Sequence, residues 1–198
     1  MDGPSDDHAA PPRGVARWLA DAKRVDAALY AAIAQTPTPT LDHAMARLSR
    51  AADYSRLSLM SAAVLGATGG RRGRRAAAMG LASVGVAASL VNLGVKPLGR
   101  RGRPDRVAEE VPVARHVRIP SSTSFPSGHA AAAFAFATGV GHVLPLAAGP
   151  LRGLAALVAY SRIHTGVHYP GDVVAGALIG TVLAQLTTHA LERAPTHR

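Results

Sequence analysis

The sequence predicts an all-α integral membrane bundle of about five transmembrane helices, preceded by N-terminal amphipathic interfacial helices. Three observations carry that expectation. Several apolar runs approach the roughly 20 residues that cross a bilayer as a helix. No segment of any length alternates polar and apolar residues as a half-buried strand does. Hydrophobic residues make up 48% of the chain and aromatic residues only 4%. Apolarity resting on alanine, glycine, leucine and valine lets helices approach closely in lipid, where packing drives association, and leaves a water-soluble core short of bulk. An alanine-rich soluble bundle is the competing architecture, but its buried helices seldom reach spanning length.

Along the chain, residues 1–13 hold Gly3, Pro4, Pro11, Pro12 and several acids, and read as a disordered tail. From Gly14 to Ala34, Val15, Trp18, Leu19, Ala22, Val25, Ala28, Leu29 and Ala32 recur at helical spacing, with Arg17, Lys23 and Arg24 off that stripe. Two readings stand here: a helix in the membrane interface, and one packed on its own protein. Thr36-Pro37-Thr38-Pro39 breaks it, because each proline disfavours helix at the residue before it. A second amphipathic stretch follows from Leu41 to Ala52. Leu57–Gly70 is apolar but short, and Arg71–Arg75 reads as a basic turn that closes it. Ala76–Val95, Ala130–Ala148 and Val173–Leu191 are strong runs, and Leu151–Tyr160 is a brief one. The expected organisation is a tail (1–13), interfacial helices (14–55), a transmembrane domain (56–192) and a short tail (193–198).

Composition narrows the chemistry. The absence of cysteine excludes disulfides, thiol nucleophiles and thiolate metal sites. A formal charge of +10 suits anionic lipids or phosphates. Nucleic acid is not an expected partner, because the arginines fall between apolar runs and form no continuous stripe. The N-terminus lacks the basic start and apolar core of a cleaved signal.

Three polar motifs sit at the ends of apolar runs: Lys96 to Arg103-Pro104, Pro126-Ser127-Gly128-His129, and Ser161-Arg162 to His168 and Asp172. If the runs cross alternately, all three reach one membrane face. There Ser127 is a plausible N-cap, Gly128 permits close backbone approach, and helix N-terminal amides favour an anion. Lys96, Arg103 and Arg162 are the candidate phosphate ligands, guanidinium as a bidentate fork and ammonium as a point charge. Asp172 is placed to bond one nitrogen of His168 and leave the other free to attack, while His129 is placed to protonate a leaving oxygen. Arg100, Arg101, Arg106, Arg115 and Arg118 read as a juxtamembrane cluster for lipid headgroups. Asn92 and Gln185 read as interhelical hydrogen-bonding residues. His164, four residues before His168, allows a metal pair, but without a carboxylate-rich cluster no metal site is expected. His8, His43, His116, His142, His189 and His197 have no legible partners.

At these residues the chain resembles the type 2 phosphatidic acid phosphatase superfamily, matching its order and spacing: Lys-x6-Arg-Pro, Pro-Ser-Gly-His and Ser-Arg-x5-His-x3-Asp. The resemblance implies a multi-pass enzyme of the cell membrane that hydrolyses a lipid phosphate or diphosphate, of the phosphatidic acid or polyprenyl class, without metal or other cofactor. It implies that His168 is the nucleophile and forms a phosphohistidine, that Asp172 orients it, and that His129 is the general acid. It implies that Lys96, Arg103 and Arg162 hold the phosphoryl group, with Ser127 and Gly128 beside them. In composition and size the chain is similar to actinobacterial members, among them polyprenyl-phosphate and decaprenylphosphoryl-phosphoribose phosphatases. The expected partners are the lipid phosphate substrate and membrane lipids; the sequence does not speak to oligomeric state. Two other readings share the residues: a vanadate-dependent haloperoxidase-like enzyme, and a non-catalytic phospholipid-binding membrane protein. The short connection from Pro104 to Phe125 leaves little room for a separate lid domain, so the site is expected to open toward the membrane surface. If Leu57–Gly70 crosses, the bias of basic residues would place the site in the cytoplasm, whereas the resemblance implies the outer face for many bacterial members.

Overall fold

The computed structural model describes residues 14–194. The tail expected over 1–13, and residues 195–198 of the C-terminal one, lie outside the described residues. Within them all regular structure is helical: α1 (Val15–Gln35), α2 (Pro39–Ala51), α3 (Arg56–Thr68), α4 (Gly70–Ser89), α5 (Lys96–Leu98), α6 (Gly128–Val143), α7 (Pro145–His164) and α8 (Pro170–Arg193). A π-helical turn, Leu90–Val95, joins α4 to α5, so that Gly70–Leu98 is one continuous rod of 29 residues. This rod and α8 are the two described helices long and apolar enough to cross a membrane.

α6 is the centre of the bundle. It packs against α4, α7 and α8, and most of its face is alanine buried to near zero exposure (Ala130, Ala131, Ala135, Ala137). Small residues set the approach. Gly176 and Gly180 of α8 lie against the backbone carbonyls of Ser127 and Ala131, where a Cβ would overlap them. On the other side Phe136 and Val140 pack over Gly80 of α4. Dispersion across such contacts is what holds helices together when no water is expelled.

Three expected boundaries move. Arg71–Arg75 is not a turn but part of the first turns of α4, and the chain reverses at Gly69 and at Gly70, whose φ is +58°. The run from Ala130 breaks at Leu144, and α7 begins at Pro145, since proline fits a helix's first turn, where its missing N–H has no intrahelical acceptor. Leu151–Tyr160 is therefore the middle of a 20-residue helix, and Arg162 lies within its last turn.

α1 and α2 are tied to the bundle by specific polar contacts. Tyr30 of α1 is buried edge-on to Tyr169, with ring centroids 5.5 Å apart. α1 buries Tyr30 and Ala34 in its last turns against the protein, and before them leaves Val15, Trp18, Leu19, Val25 and Leu29 exposed.

Arg115 is not a headgroup residue. Its side chain is fully buried, and it donates to Asp42 Oδ1 (2.7 Å), to the carbonyls of Ile33, Ala34 and Thr36, and to Thr38 Oγ1, fastening the α1–α2 corner to the long loop. Burial pushes the Asp42 carboxyl up, but hydrogen bonds from Thr38, Arg115 and His164 outweigh it and hold the group below the usual carboxylate range. Arg106 is likewise internal, donating to the carbonyls of Gly166 and Val117. Arg100 and Arg118 are exposed, as a headgroup role requires. Gln185 is exposed on α8 and not held between helices.

Candidate active site

The motifs meet at one end of the bundle because the starts of α6 and α8 are joined by backbone. Ser127 N–H donates to the Asp172 carbonyl at 2.9 Å. Ser127 caps α6 by accepting from Ala130 N–H at 3.4 Å, and the Asp172 carboxylate accepts from Tyr169 N–H at 3.0 Å at the head of α8. The turn between α7 and α8 passes through Gly166, whose φ of +66° glycine adopts without strain. That turn places His168 and Asp172 beside α6.

His168 is about 1% exposed. Its Nδ1 lies 3.3 Å from Ser124 Oγ and 3.7 Å from Asp172 Oδ2, and Ser124 Oγ–H also bonds Asp172 Oδ2. At 3.7 Å the direct contact is too long for a hydrogen bond. Ser124 therefore bridges the pair. A hydroxyl has one proton to give; spent on the carboxylate, it leaves Ser124 an acceptor for Nδ1–H. That tautomer puts the lone pair on Nε2, which Arg103 Nη1 faces at 3.3 Å. Burial lowers the His168 pKa from 6.5 to about 4, with the nearby Asp172 carboxylate opposing and Arg103 and Arg162 reinforcing the shift. The ring is neutral at physiological pH.

Arg103 is held in a fork of loop groups: Nε donates to the Ser122 carbonyl (3.0 Å), Nη1 to the Val167 carbonyl (2.9 Å) and Nη2 to Ser122 Oγ (3.3 Å). Lys96 Nζ donates to the same Ser122 Oγ at 3.3 Å. Gly128 keeps the approach open, since a Cβ there would meet Lys96 Nζ at 3.4 Å. Arg162 is 1% exposed and spends Nη1 on Ser49 Oγ, while its Nε and Nη2 are buried without a hydrogen-bond partner. Buried donors left unpaired are costly, and an anion beside them would satisfy both. His129 Nε2 lies 3.0 Å from Asp53 Oδ1.

A cavity of about 300 Å³ opens beside these groups, and Arg162, Ser127 and Asp172 are not among the residues that line it. Lys96, Arg103, Gly128, His129 and His168 line its polar end, and Leu57, Ala88, Ala132, Ala133 and Val158 its apolar one. Asn92 also lines it, so it is a cavity residue and not an interhelical bond. A second small void shares Leu57, Ser58, Ala133 and Val158 and carries the apolar wall onward along α3 and α7. His164 Nε2 lies 2.9 Å from Asp42 Oδ1, and no group of three or more His, Asp or Glu side chains among the described residues could hold a metal ion.

Sequence reasoning missed Ser122 and Ser124, although the run Ser121-Ser122-Thr123-Ser124 directly ahead of Phe125-Pro126 was a signal. It misplaced Arg101, which stacks on the Tyr169 ring at 4.1 Å and bridges Asp172 Oδ1 (3.0 Å) to Asp26 Oδ2 (2.6 Å). It also missed Asp26 and Asp53, which come from far upstream.

Fold and site together define an all-helical bundle with two helices long and apolar enough to cross a membrane and a cavity that is cationic at one end and apolar at the other. The chain belongs to the PAP2 superfamily, whose family model matches residues 77–195. It is 38% identical over 128 residues to decaprenylphosphoryl-5-phosphoribose phosphatase of Mycobacterium tuberculosis, an alignment covering 63% of this chain and 66% of that protein. The chain thus spans just under two thirds of the length of these curated relatives. It is 37% identical over 82 residues to undecaprenyl-diphosphatase of Sulfolobus acidocaldarius, covering 38% of this chain and 37% of that one. Among solved structures it resembles the transmembrane PAP2-type phosphatidylglycerolphosphate phosphatase of Bacillus subtilis, with a TM-score of 0.67, 25% identity and 90% of both chains covered. It also resembles Aquifex aeolicus LpxE, with a TM-score of 0.66, 26% identity, and 81% and 93% covered.

Proposed function

We propose that this protein is a metal-independent lipid phosphate phosphatase of the polyprenyl phosphate or diphosphate class, acting through a phosphohistidine. One observation carries the reading: a buried imidazole at the polar end of the cavity whose Nε2 lies 3.3 Å from Arg103 Nη1 and whose Nδ1 lies 3.3 Å from Ser124 Oγ. Nε2 attacks phosphorus; Arg103, Lys96 and Arg162 take the charge on the non-bridging oxygens; His129 protonates the departing oxygen. Water, deprotonated by the now neutral His129, then opens the P–N bond, releasing phosphate and restoring both rings. The relatives named for polyprenyl substrates, and an apolar wall of leucine, alanine and valine behind the polar end, favour a long hydrocarbon chain. The organisation that fits is α3, α4, α6, α7 and α8 crossing the cell membrane, with residues 14–55 at its surface on the active-site side.

The test is purified protein in detergent with a chelator, against undecaprenyl phosphate, undecaprenyl diphosphate, phosphatidic acid and phosphatidylglycerol phosphate. Chelator-insensitive phosphate release, fastest on the polyprenyl substrates and lost in His168→Ala, is expected. Release that persists in His168→Ala overturns the nucleophile assignment.

A further inference from the structure

His129 has a partner that no motif supplies. α2 ends at Ala51, and Asp53–Ser55 form a tight turn before α3. Tyr54 (φ 56°) and Ser55 (φ 57°) both occupy the left-handed region, which residues bearing a Cβ enter only when surrounding structure holds them there. The turn brings the Asp53 carboxylate over the first turn of α6. Oδ1 lies 3.0 Å from His129 Nε2 and 3.7 Å from Arg162 Nη1. Asp53 lies outside the residues matched by the family model.

The surroundings of His129 make that carboxylate consequential. Burial of the ring comes first, and then Arg162 from α7, His168, Lys96 at the end of the α4 rod and Arg103 bear on it with positive or potentially positive charge. Each opposes the imidazolium that a general acid must be before it gives up its proton. Asp53 is the one carboxylate within hydrogen-bond reach of the ring among the described residues. We infer that Asp53 is the positioning residue for His129, keeping on the imidazole the proton that the leaving oxygen takes. Asp53 accepts from Nε2–H, and the proton delivered comes from Nδ1. The departing alkoxide becomes the alcohol as His129 becomes neutral. In the second half, water returns a proton to Nδ1 while its oxygen attacks the phosphoryl group on His168. The division of labour mirrors Asp172 and His168: one carboxylate serves the nucleophile, the other the acid.

This inference rests on the phosphatase reading, and its test separates the two. Wild type, Asp53→Asn, Asp53→Glu, His129→Gln and the Asp53→Asn/His129→Gln double variant are assayed on farnesyl phosphate, whose alkoxide needs a proton to leave, and on 4-nitrophenyl phosphate, whose phenolate does not. General acid catalysis contributes about 10²- to 10⁴-fold. Asp53→Asn is expected to lower kcat on farnesyl phosphate about 100-fold, with a loss at least ten times smaller on the aryl ester. The alkaline limb of its kcat profile is expected about one pH unit lower, since a facing carboxylate shifts a neighbour by one unit or more. Asp53→Glu recovers part of the rate, and the double variant is no slower than His129→Gln. Equal losses on both substrates, an unmoved alkaline limb, or losses that multiply in the double variant overturn the role of Asp53. Wild-type protein that hydrolyses neither ester overturns the phosphatase reading itself.

Discussion

Replacing Ser124 with alanine tests the geometry around His168 most directly. Ser124 Oγ sits 3.3 Å from His168 Nδ1 and bonds Asp172 Oδ2, while the carboxylate itself is 3.7 Å from Nδ1. Without the hydroxyl, the ring loses its near partner and the carboxylate loses a buried bond. Hydrogen bonds to charged groups contribute about 1.5–3 kcal/mol. If that interaction holds the reactive tautomer, its loss falls on the transition state, where about 1.36 kcal/mol is tenfold in rate. Ser124→Ala should therefore reduce kcat roughly 10- to 150-fold with KM changed less than about threefold, because Ser124 does not line the cavity. The assay is steady-state phosphate release in detergent, on protein whose melting temperature is matched to wild type. A kcat within about twofold of wild type would refute the bridging role and return the orientation of His168 to Asp172 alone.

Two further outcomes are expected. Arg115→Ala should lower the apparent melting temperature in detergent strongly, because removing one partner of a buried ion pair typically costs about 3–5 kcal/mol and Arg115 serves Asp42 and several carbonyls at once; a thermal shift indistinguishable from wild type would contradict the corner-fastening role. The pH dependence follows from His168, whose burial sets its pKa near 4, below the ordinary 6.5. The neutral, attacking form is therefore populated above about pH 4. The nucleophile's acidic limb should lie near pH 4 and not near 6.5, and the fold should lose stability as pH falls from about 6.5 toward 4, where the unfolded chain takes up a proton that the folded one excludes. An acidic limb of kcat/KM at about 6.5 would contradict this.

Helix content, bundle class and the three motifs were legible because each is local: apolar run length for the spans, and fixed spacing from Lys96 to Asp172 for the cavity groups. What was not legible depends on contacts between distant segments. Arg101, Arg106 and Arg115 look alike in sequence to Arg100 and Arg118, yet the first group is turned inward by carboxylates and carbonyls from elsewhere in the chain and the second is not. The break at Leu144 was hidden because hydrophobicity continues across it; only Pro145 marked it. Ser124 was overlooked because a serine ahead of a proline turn has an ordinary explanation as loop chemistry.

The upstream residues give the first two helices a place in the site itself. Asp26 of α1 accepts from Arg101 and from Gly171 N–H at the head of α8, and Arg101 in turn holds Asp172. Ser49 of α2 takes Arg162 Nη1, and Asp53 takes His129. Residues 14–55 thus steady Asp172, Arg162 and His129, three of the proposed site residues, although the family model begins only at residue 77. A helix whose outer stripe of Val15, Trp18 and Leu19 faces away from the bundle is therefore connected, through Asp26 and Arg101, to the Asp172 that anchors His168. The helices that would meet the membrane surface and the groups that would meet the phosphate form one hydrogen-bonded unit.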